Sequence, residues 1–378
     1  MKDIIMRFSV IEDSRHSGYV VHKLEHILTI VMCAVLCGLD KLDEIMTYQE
    51  NNHENLRKDF GIEKFPSKST FSRVLSMVDG KAVGEVILQA MRDKIVSRGN
   101  VIAVDGKAIR STGEKDKPHS ALQILSAYLT ENGVTLGQES IHEKTNEIPI
   151  FQQMLDYLDV QGKVITADAM HCQRETCRKI IEKKGDYVLG LKNNQPNFYS
   201  DVLLYFSDAE LSKGMKCYET LEKNKNRLER RVCRKLTDLS WLNCRDSWSG
   251  LRCVFSIERT VETGNKRTQE TSYYISSLDE SEERLMDIVR EHWKVESMHW
   301  MLDVTFSEDS CRFISENAQK SLNSMRKCAL AVHKNFLYNT HKKSSVKSSM
   351  LSALEQSAQK RSYTKYTQKG SIMKKRRW

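Results

Sequence analysis

The apolar positions along the chain change period twice. From His22 onward, Leu24, Ile27, Leu28, Val31 and Val35 recur at helical spacing and predict a long apolar helix at the centre of an N-terminal helical region. Residues 42–51, 54–60 and 82–96 predict further helices. Ser67 or Ser69 can cap another that runs through Phe71 to Leu75, with Lys68, Ser72 and Arg73 near its exposed side. Past Gly99 the period shortens. Residues 101–104 and 164–167 are short β-rich apolar runs, and each ends in an aspartate, Asp105 or Asp168. Residues 122–130 and 134–142 predict two strands joined across Glu131, Asn132 and Gly133, a hairpin signal. Helices are expected at 150–158 and 173–184, and a strand at 186–191.

Between residues 195 and 283 the chain carries β-leaning runs at 216–221, 228–236, 252–261 and 271–276, with a turn at Gly264 to Arg267. That is too long for a structureless loop, so a β-rich insertion over about residues 210–280 is expected, folded into the same domain. Residues 281–302 and 314–337 return to helical spacing. The expected fold class is α/β: an RNase H-like domain, its mixed sheet flanked by helices and carrying the insertion, over residues 97–340. An all-α N-terminal domain over 1–96, with a possible helix-turn-helix at 65–75, precedes it. A basic tail over 341–378, with little apolar periodicity beyond 350–354, is expected to be flexible.

Charge refines this picture at one end. The net charge is +9, and residues 341–378 alone hold eleven Lys/Arg against one acidic residue, Glu355. A polyanionic partner is therefore suggested by the tail and by local patches, such as Arg230 and Arg231 in the insertion, and not by the surface as a whole. The ten cysteines show no paired metal-site spacing and read as reduced and structural. No leader is visible, and the longest apolar run, near 27–39, is shorter than a bilayer requires, so a soluble intracellular protein without a membrane partner is expected.

The candidate chemistry centres on residues 290–309. At helical spacing His292, Glu296, His299, Trp300 and Asp303 share one broad face, and Trp293 joins it from the flank. One reading is an amphipathic core helix. The other joins Glu296 to Asp105 and Asp168, because carboxylates at the ends of buried strands suit a hard cation better than a solvated surface role. An all-oxygen set without convergent cysteine favours Mg²⁺ or Mn²⁺ over Zn²⁺.

These segments (101–111, 165–195 and 290–312) resemble the H-repeat-associated DDE transposases of bacterial insertion sequences, and residues up to about 95 resemble that family's associated domain. The resemblance implies a DNA transposase that holds two divalent ions on Asp105, Asp168 and Glu296. It also implies double-stranded DNA as partner (the element's terminal repeats and the target), a homodimer that synapses two ends, and a cytoplasmic, nucleoid-associated location. Lys107, Lys192, Gln195, His292 and Trp293 are further candidates for DNA contact, beside Lys68, Ser72, Arg73, Arg230 and Arg231. Related transposases place an Arg where this chain has His292, so phosphate binding there is expected to be weaker or pH-dependent, and a Lys where it has Asp303, so that base-flipping or phosphate role is not carried over. A domesticated or inactive DNA-binding derivative and a nonspecific RNase H-like nuclease are the alternatives.

Overall fold

The computed structural model describes residues 2–94, 99–113, 121–141, 147–212, 215–311, 315–340 and 344–357. Up to residue 94 the described regular elements are all helices: α1 (Lys2–Met6), α2 (Leu24–Leu36), α3 (Leu42–Asn51), α4 (His53–Phe60), α5 (Lys68–Met77) and α6 (Gly80–Lys94), with two short 3-10 turns. Ten residues of α2, from Leu24 to Val35, are buried, as expected of a helix that is apolar nearly all round. Ser67 caps α5, its hydroxyl accepting from the Thr70 amide. Phe71, Val74 and Leu75 of α5 face inward, while Lys68 and Arg73 are exposed. Residues 61–67 separate α4 from α5, a longer connection than the three or four residues of a helix-turn-helix.

The rest is built on one nine-stranded mixed sheet. Its strands are β1 (Val101–Ile109), β2 (Leu122–Leu129), β3 (Val134–Ile141), β4 (Val164–Ala167), β5 (Asp186–Leu191), β6 (Cys217–Asn224), β7 (Arg227–Leu236), β8 (Cys253–Thr263) and β9 (Lys266–Ser276). Their order across the sheet is β3-β2-β1-β4-β5-β9-β8-β7-β6. β1, β4 and β5 run parallel, and every other pairing is antiparallel. The β-rich insertion thus continues the same sheet, because β9 pairs with β5 from Val188↔Ser276 to Leu191↔Tyr273.

Alternation along β1 and β4 sorts the two faces. Val101 and Val164 pack beneath Leu285, Ile288 and Val289. Their neighbours Ile102, Val104, Ile165 and Ala167 enter the opposite core. That second face is covered by α7 (Glu147–Tyr157), α8 (Arg174–Glu182) and α9 (Pro196–Ser207), which contribute Phe151, Met154, Ile180, Phe198 and Val202. α9, with the short α10 (Ala209–Ser212) after it, is a helix that the periodicity reading passed over, although Pro196 at its first turn is a start signal.

Three helices follow: α11 (Glu282–Thr305), α12 (Glu316–Asn339) and α13 (Val346–Ser357). The first half of α11 lies on the sheet. Its second half, through Val295, Met298 and Leu302, joins one core with α2, α5, α6 and α12. α13 corrects the expectation for the tail: Met350 and Leu354 are buried in that same core, so residues 346–357 are folded. Residues 358–378 of the tail lie outside the described residues, as does much of the polar loop after Thr112. Among the described residues all ten cysteines are free thiols, and no helix is long and apolar enough to cross a membrane.

Candidate functional site

Strand register assembles the site. β1 and β4 are in register to Val104↔Ala167, so the next residues, Asp105 and Asp168, stand side by side where two parallel strands end their pairing. By the alternation above both belong to the face that carries α11. Asp105 Oδ1 accepts from the Gly106 amide at 2.9 Å, which holds its carboxylate at the strand's edge. Gly106 lies close to the Glu147 side chain at the start of α7: a Cβ there would stand 2.6 Å from Oε1, so that flexible carboxylate would have to move aside.

α11 brings the third carboxylate. Its N-terminus is fixed by Ser281, whose hydroxyl accepts from the Arg284 amide, and Glu296 lies midway along it. Burial raises the Glu296 carboxyl above its ordinary range. The charges of Asp105 and Asp168 push in the same direction, while His292 and His299 oppose it. Each histidine faces one aspartate: His292 Nε2 is 3.6 Å from Asp168 Oδ1, and His299 Nδ1 is 3.4 Å from Asp105 Oδ2. The His292 ring beside it holds Asp168 below the usual carboxylate range, against the opposing effect of burial. The far ring nitrogens, His292 Nδ1 and His299 Nε2, are buried without a hydrogen-bond partner.

The three carboxylates therefore share one electrostatic site. As placed, no three His, Cys, Asp or Glu side chains among the described residues form a closed ligand set. The donors nevertheless suit a hard divalent cation, because the repulsion felt at Glu296 is what such a cation relieves.

The other sequence candidates fall into separate places. Lys107 does not reach outward. Its side chain is 12 % exposed, and its ammonium donates to Asp303 and, at 2.7 Å, to Glu308 Oε2. Gln195 also turns inward, its amide donating to the Cys172 carbonyl at 3.0 Å and to Gln173 Oε1 at 3.2 Å, which braces the segment after Asp168. Lys192 is exposed, and its charge is felt by Asp168. Arg230 pairs with Glu219 and Glu258, and Arg231 with Glu229 and Glu222. Lys68 pairs with Asp43, Ser72 is half-buried and Arg73 is exposed.

Trp293 and Trp300 are 56 % and 62 % exposed, so neither is the packed core residue that one reading of the helix predicted. Trp293 lines a hollow with Arg227, Arg231, Arg259 and Arg290 between the insertion strands and α11. A wider cleft of about 730 Å³, lined by residues of α6, β3 and α7, includes none of the three carboxylates.

Sequence reasoning missed Glu308. From its neighbours in the sequence it reads as a turn cap or a partner for Arg312, which lies outside the described residues. Glu308 is instead fully buried and holds Lys107, Asn323 and Arg326. An acidic residue flanked by Phe306 and Cys311 was the available signal, yet its partners lie far away in the chain.

Comparison with known proteins gives the family. The family described as "Transposase DDE domain" matches residues 97–332, and the family "DDE_Tnp_1-associated" matches residues 5–91. A protein named "Putative transposase YncI" from Escherichia coli O157:H7 is 33% identical over 355 residues, 87% of each chain. The "H repeat-associated putative transposase YhhI" of Escherichia coli K12 is 32% identical over 343 residues, 88% of this chain and 90% of its own. Among solved structures, a piggyBac transposase synaptic complex with hairpin DNA aligns over 97% of this chain and 82% of its own, at 11% identity and a TM-score of 0.43. With one family spanning the sheet and its three carboxylates, and its associated family spanning the N-terminal helices, this chain belongs to the DDE transposases, in their H-repeat-associated group.

Proposed function

We propose that this protein is an active transposase that cuts DNA at the ends of an insertion sequence and joins the freed 3′ ends to a target. The observation that carries this reading is the meeting of Asp105 and Asp168, at the ends of two in-register parallel strands, with Glu296 from the helix across that face. The strand order β3-β2-β1-β4-β5, with β1, β4 and β5 parallel, supports an RNase H-like catalytic core. The helices of residues 1–96 would then form the associated DNA-binding region.

Asp105, Asp168 and Glu296 would hold two Mg²⁺ or Mn²⁺ ions, which when bound activate the attacking oxygen and stabilise the leaving one. The protein's own share is positional. His292 and His299 keep Asp168 and Asp105 oriented toward the gap beside Glu296. Because phosphoryl transfer depends chiefly on placement and charge stabilisation, three carboxylates on two rigid strands and one long helix are suited to it. Exposed Lys192, whose charge acts on Asp168, and exposed Trp293, one turn before Glu296 on α11, are the candidate DNA contacts. Two ends must be brought together, so the working form is a homodimer on double-stranded DNA.

The test is cleavage of a supercoiled plasmid carrying the element's ends, with Mg²⁺ or with EDTA. Asp105→Asn, Asp168→Asn and Glu296→Gln are each expected to lower cleavage by about 10³-fold or more. Equal activity of the wild type and Asp105→Asn would remove the reading. Cleavage indifferent to the ends would replace it with a nonspecific nuclease.

A further inference from the structure

Lys107 sits two residues beyond Asp105 on the same face of β1, and Asp303 sits seven residues, about two helical turns, beyond Glu296 on α11. The ion pair between them runs alongside the gap between the two carboxylates. It joins the strand that carries one to the helix that carries the other. A second link lies just past it. Ser307, in the left-handed region at φ 53°, turns the chain into the 3-10 segment Glu308–Ser310, which returns Glu308 to Lys107. There the Arg110 amide donates to Asp309 Oδ1 at 3.1 Å, and the Ser111 hydroxyl to the Glu308 carbonyl at 3.2 Å. The outgoing end of β1 is thus stitched to the chain leaving α11 at four points.

This stitch is anchored from behind. Glu308 Oε1 accepts from Asn323 Nδ2 at 2.9 Å and from Arg326 Nη1 at 3.4 Å, and Arg326 Nε donates to Asp40 Oδ2 at 2.7 Å. Arg326 and Glu308 are completely buried, and Asp40 nearly so. Buried ionic chains of this kind are costly to assemble, and one hydrophobic replacement leaves a charge unpaired. A chain that begins beside Asp105 and ends after α2 therefore does something that apolar packing would not.

We propose that Lys107, Asp303 and Glu308 are positioning residues that set the separation of Asp105 from Glu296, and that Arg326 and Asp40 fasten this brace to the N-terminal helices. The inference rests on the transposase reading of the carboxylates, and it assigns Lys107 to the protein's interior instead of to DNA phosphate. Breaking the pair between strand and helix lets α11 slide or splay on β1, and the carboxylates then hold divalent ions less well. Supporting groups around metal ligands typically change metal affinity by about 10–100-fold when removed.

The experiment uses the full chain and compares wild type, Asp303→Asn, Lys107→Met and Glu308→Gln. The first measurement is the Mg²⁺ or Mn²⁺ concentration that half-saturates the rise in melting temperature, without DNA. The second is the Mg²⁺ requirement of plasmid cleavage, and the third is DNA affinity in EDTA across salt concentrations. Asp303→Asn, at a partly exposed position, keeps the test open if Glu308→Gln fails to fold. The expected result is about a tenfold higher ion requirement in both ion measurements, with DNA affinity in EDTA unchanged. Asp303→Glu is expected to recover part of the loss.

An unchanged ion requirement with only a lower melting temperature would make the cluster a structural one and overturn the proposal. A DNA affinity that falls in Lys107→Met, with a salt slope smaller by about one, would return Lys107 to phosphate contact and overturn it as well. If the wild type cleaves and Asp105→Asn does not, yet the brace variants match wild type, the brace alone is wrong. If Asp105→Asn matches wild type, the transposase reading itself is wrong.

Discussion

Glu296 is the residue at which fold and chemistry pull apart. Its carboxyl is raised by burial and by two neighbouring aspartates, so its charged form opposes folding whenever the pH is above its raised value. In metal-free protein near neutral pH, Glu296→Gln is therefore expected to melt no lower than wild type, and slightly higher, while losing cleavage; melting in EDTA beside a plasmid assay checks both. Glu308 behaves in the opposite way. Although burial opposes ionisation, Arg326 and Lys107 hold its carboxyl down at about 2, against an ordinary 4.5. Its contribution to stability is thus complete above pH about 4.5 and is lost as the pH falls toward about 2. Melting temperature measured against pH should fall more steeply over that window in wild type than in Glu308→Gln. Asp40, on the same guanidinium, is pushed upward by burial more than Arg326 lowers it, so it takes up a proton earlier than Glu308 as the pH falls.

At the scale of elements, two helix contacts carry the arrangement. α6 crosses α12 so closely at Gly80 that an added Cβ would lie 2.5 Å from the Asn317 carbonyl oxygen, a backbone atom that cannot swing aside. Gly80→Ala is expected to cost about 1–3 kcal/mol in a denaturant melt, as overpacking does. α13 is held on the same core by Met350 and Leu354, and by the His333 Nδ1 to Ser349 hydroxyl contact at 2.9 Å. Met350→Ala should cost about 2–5 kcal/mol, whereas Leu351→Ala, on the exposed side of α13, should cost about 0.5 kcal/mol or less. Comparable losses at both positions would mean that α13 does not dock as described. Sequence pattern had announced α2, α11 and α12, whose apolar repeats are long. It passed over α13, where two buried side chains in a Ser/Lys-rich stretch give too faint a periodicity to stand out from a solvated tail.

Across the whole molecule, the boundary between the two family matches does not separate two cores. Residues from Ile4 to Met91 are buried together with Val295 to Leu354 in one cluster, and Arg326 crosses between them to Asp40. A fragment starting at residue 97 would expose the inner faces of α12 and the second half of α11, and would leave Arg326 and Glu308 without Asp40. It is expected to lack a cooperative thermal transition, which calorimetry on the purified fragment would check. A well-folded fragment would show that the N-terminal helices are an independent domain.

What the sequence settled by itself was local and periodic: two apolar runs that each stop at an aspartate, a long helix with Glu296 among histidines, and an insertion made of strands. Those features follow from side-chain spacing within single elements, where alternation and helical repeat report directly on burial. Strand register and helix crossing decided the rest. They alone put Asp105 beside Asp168, turned Trp300 to solvent, drew Lys107 inward to Asp303 and Glu308, and joined Arg326 to Asp40. Pairings between charges so distant along the chain leave no periodic trace, because each depends on where two separately formed elements come to rest against one another.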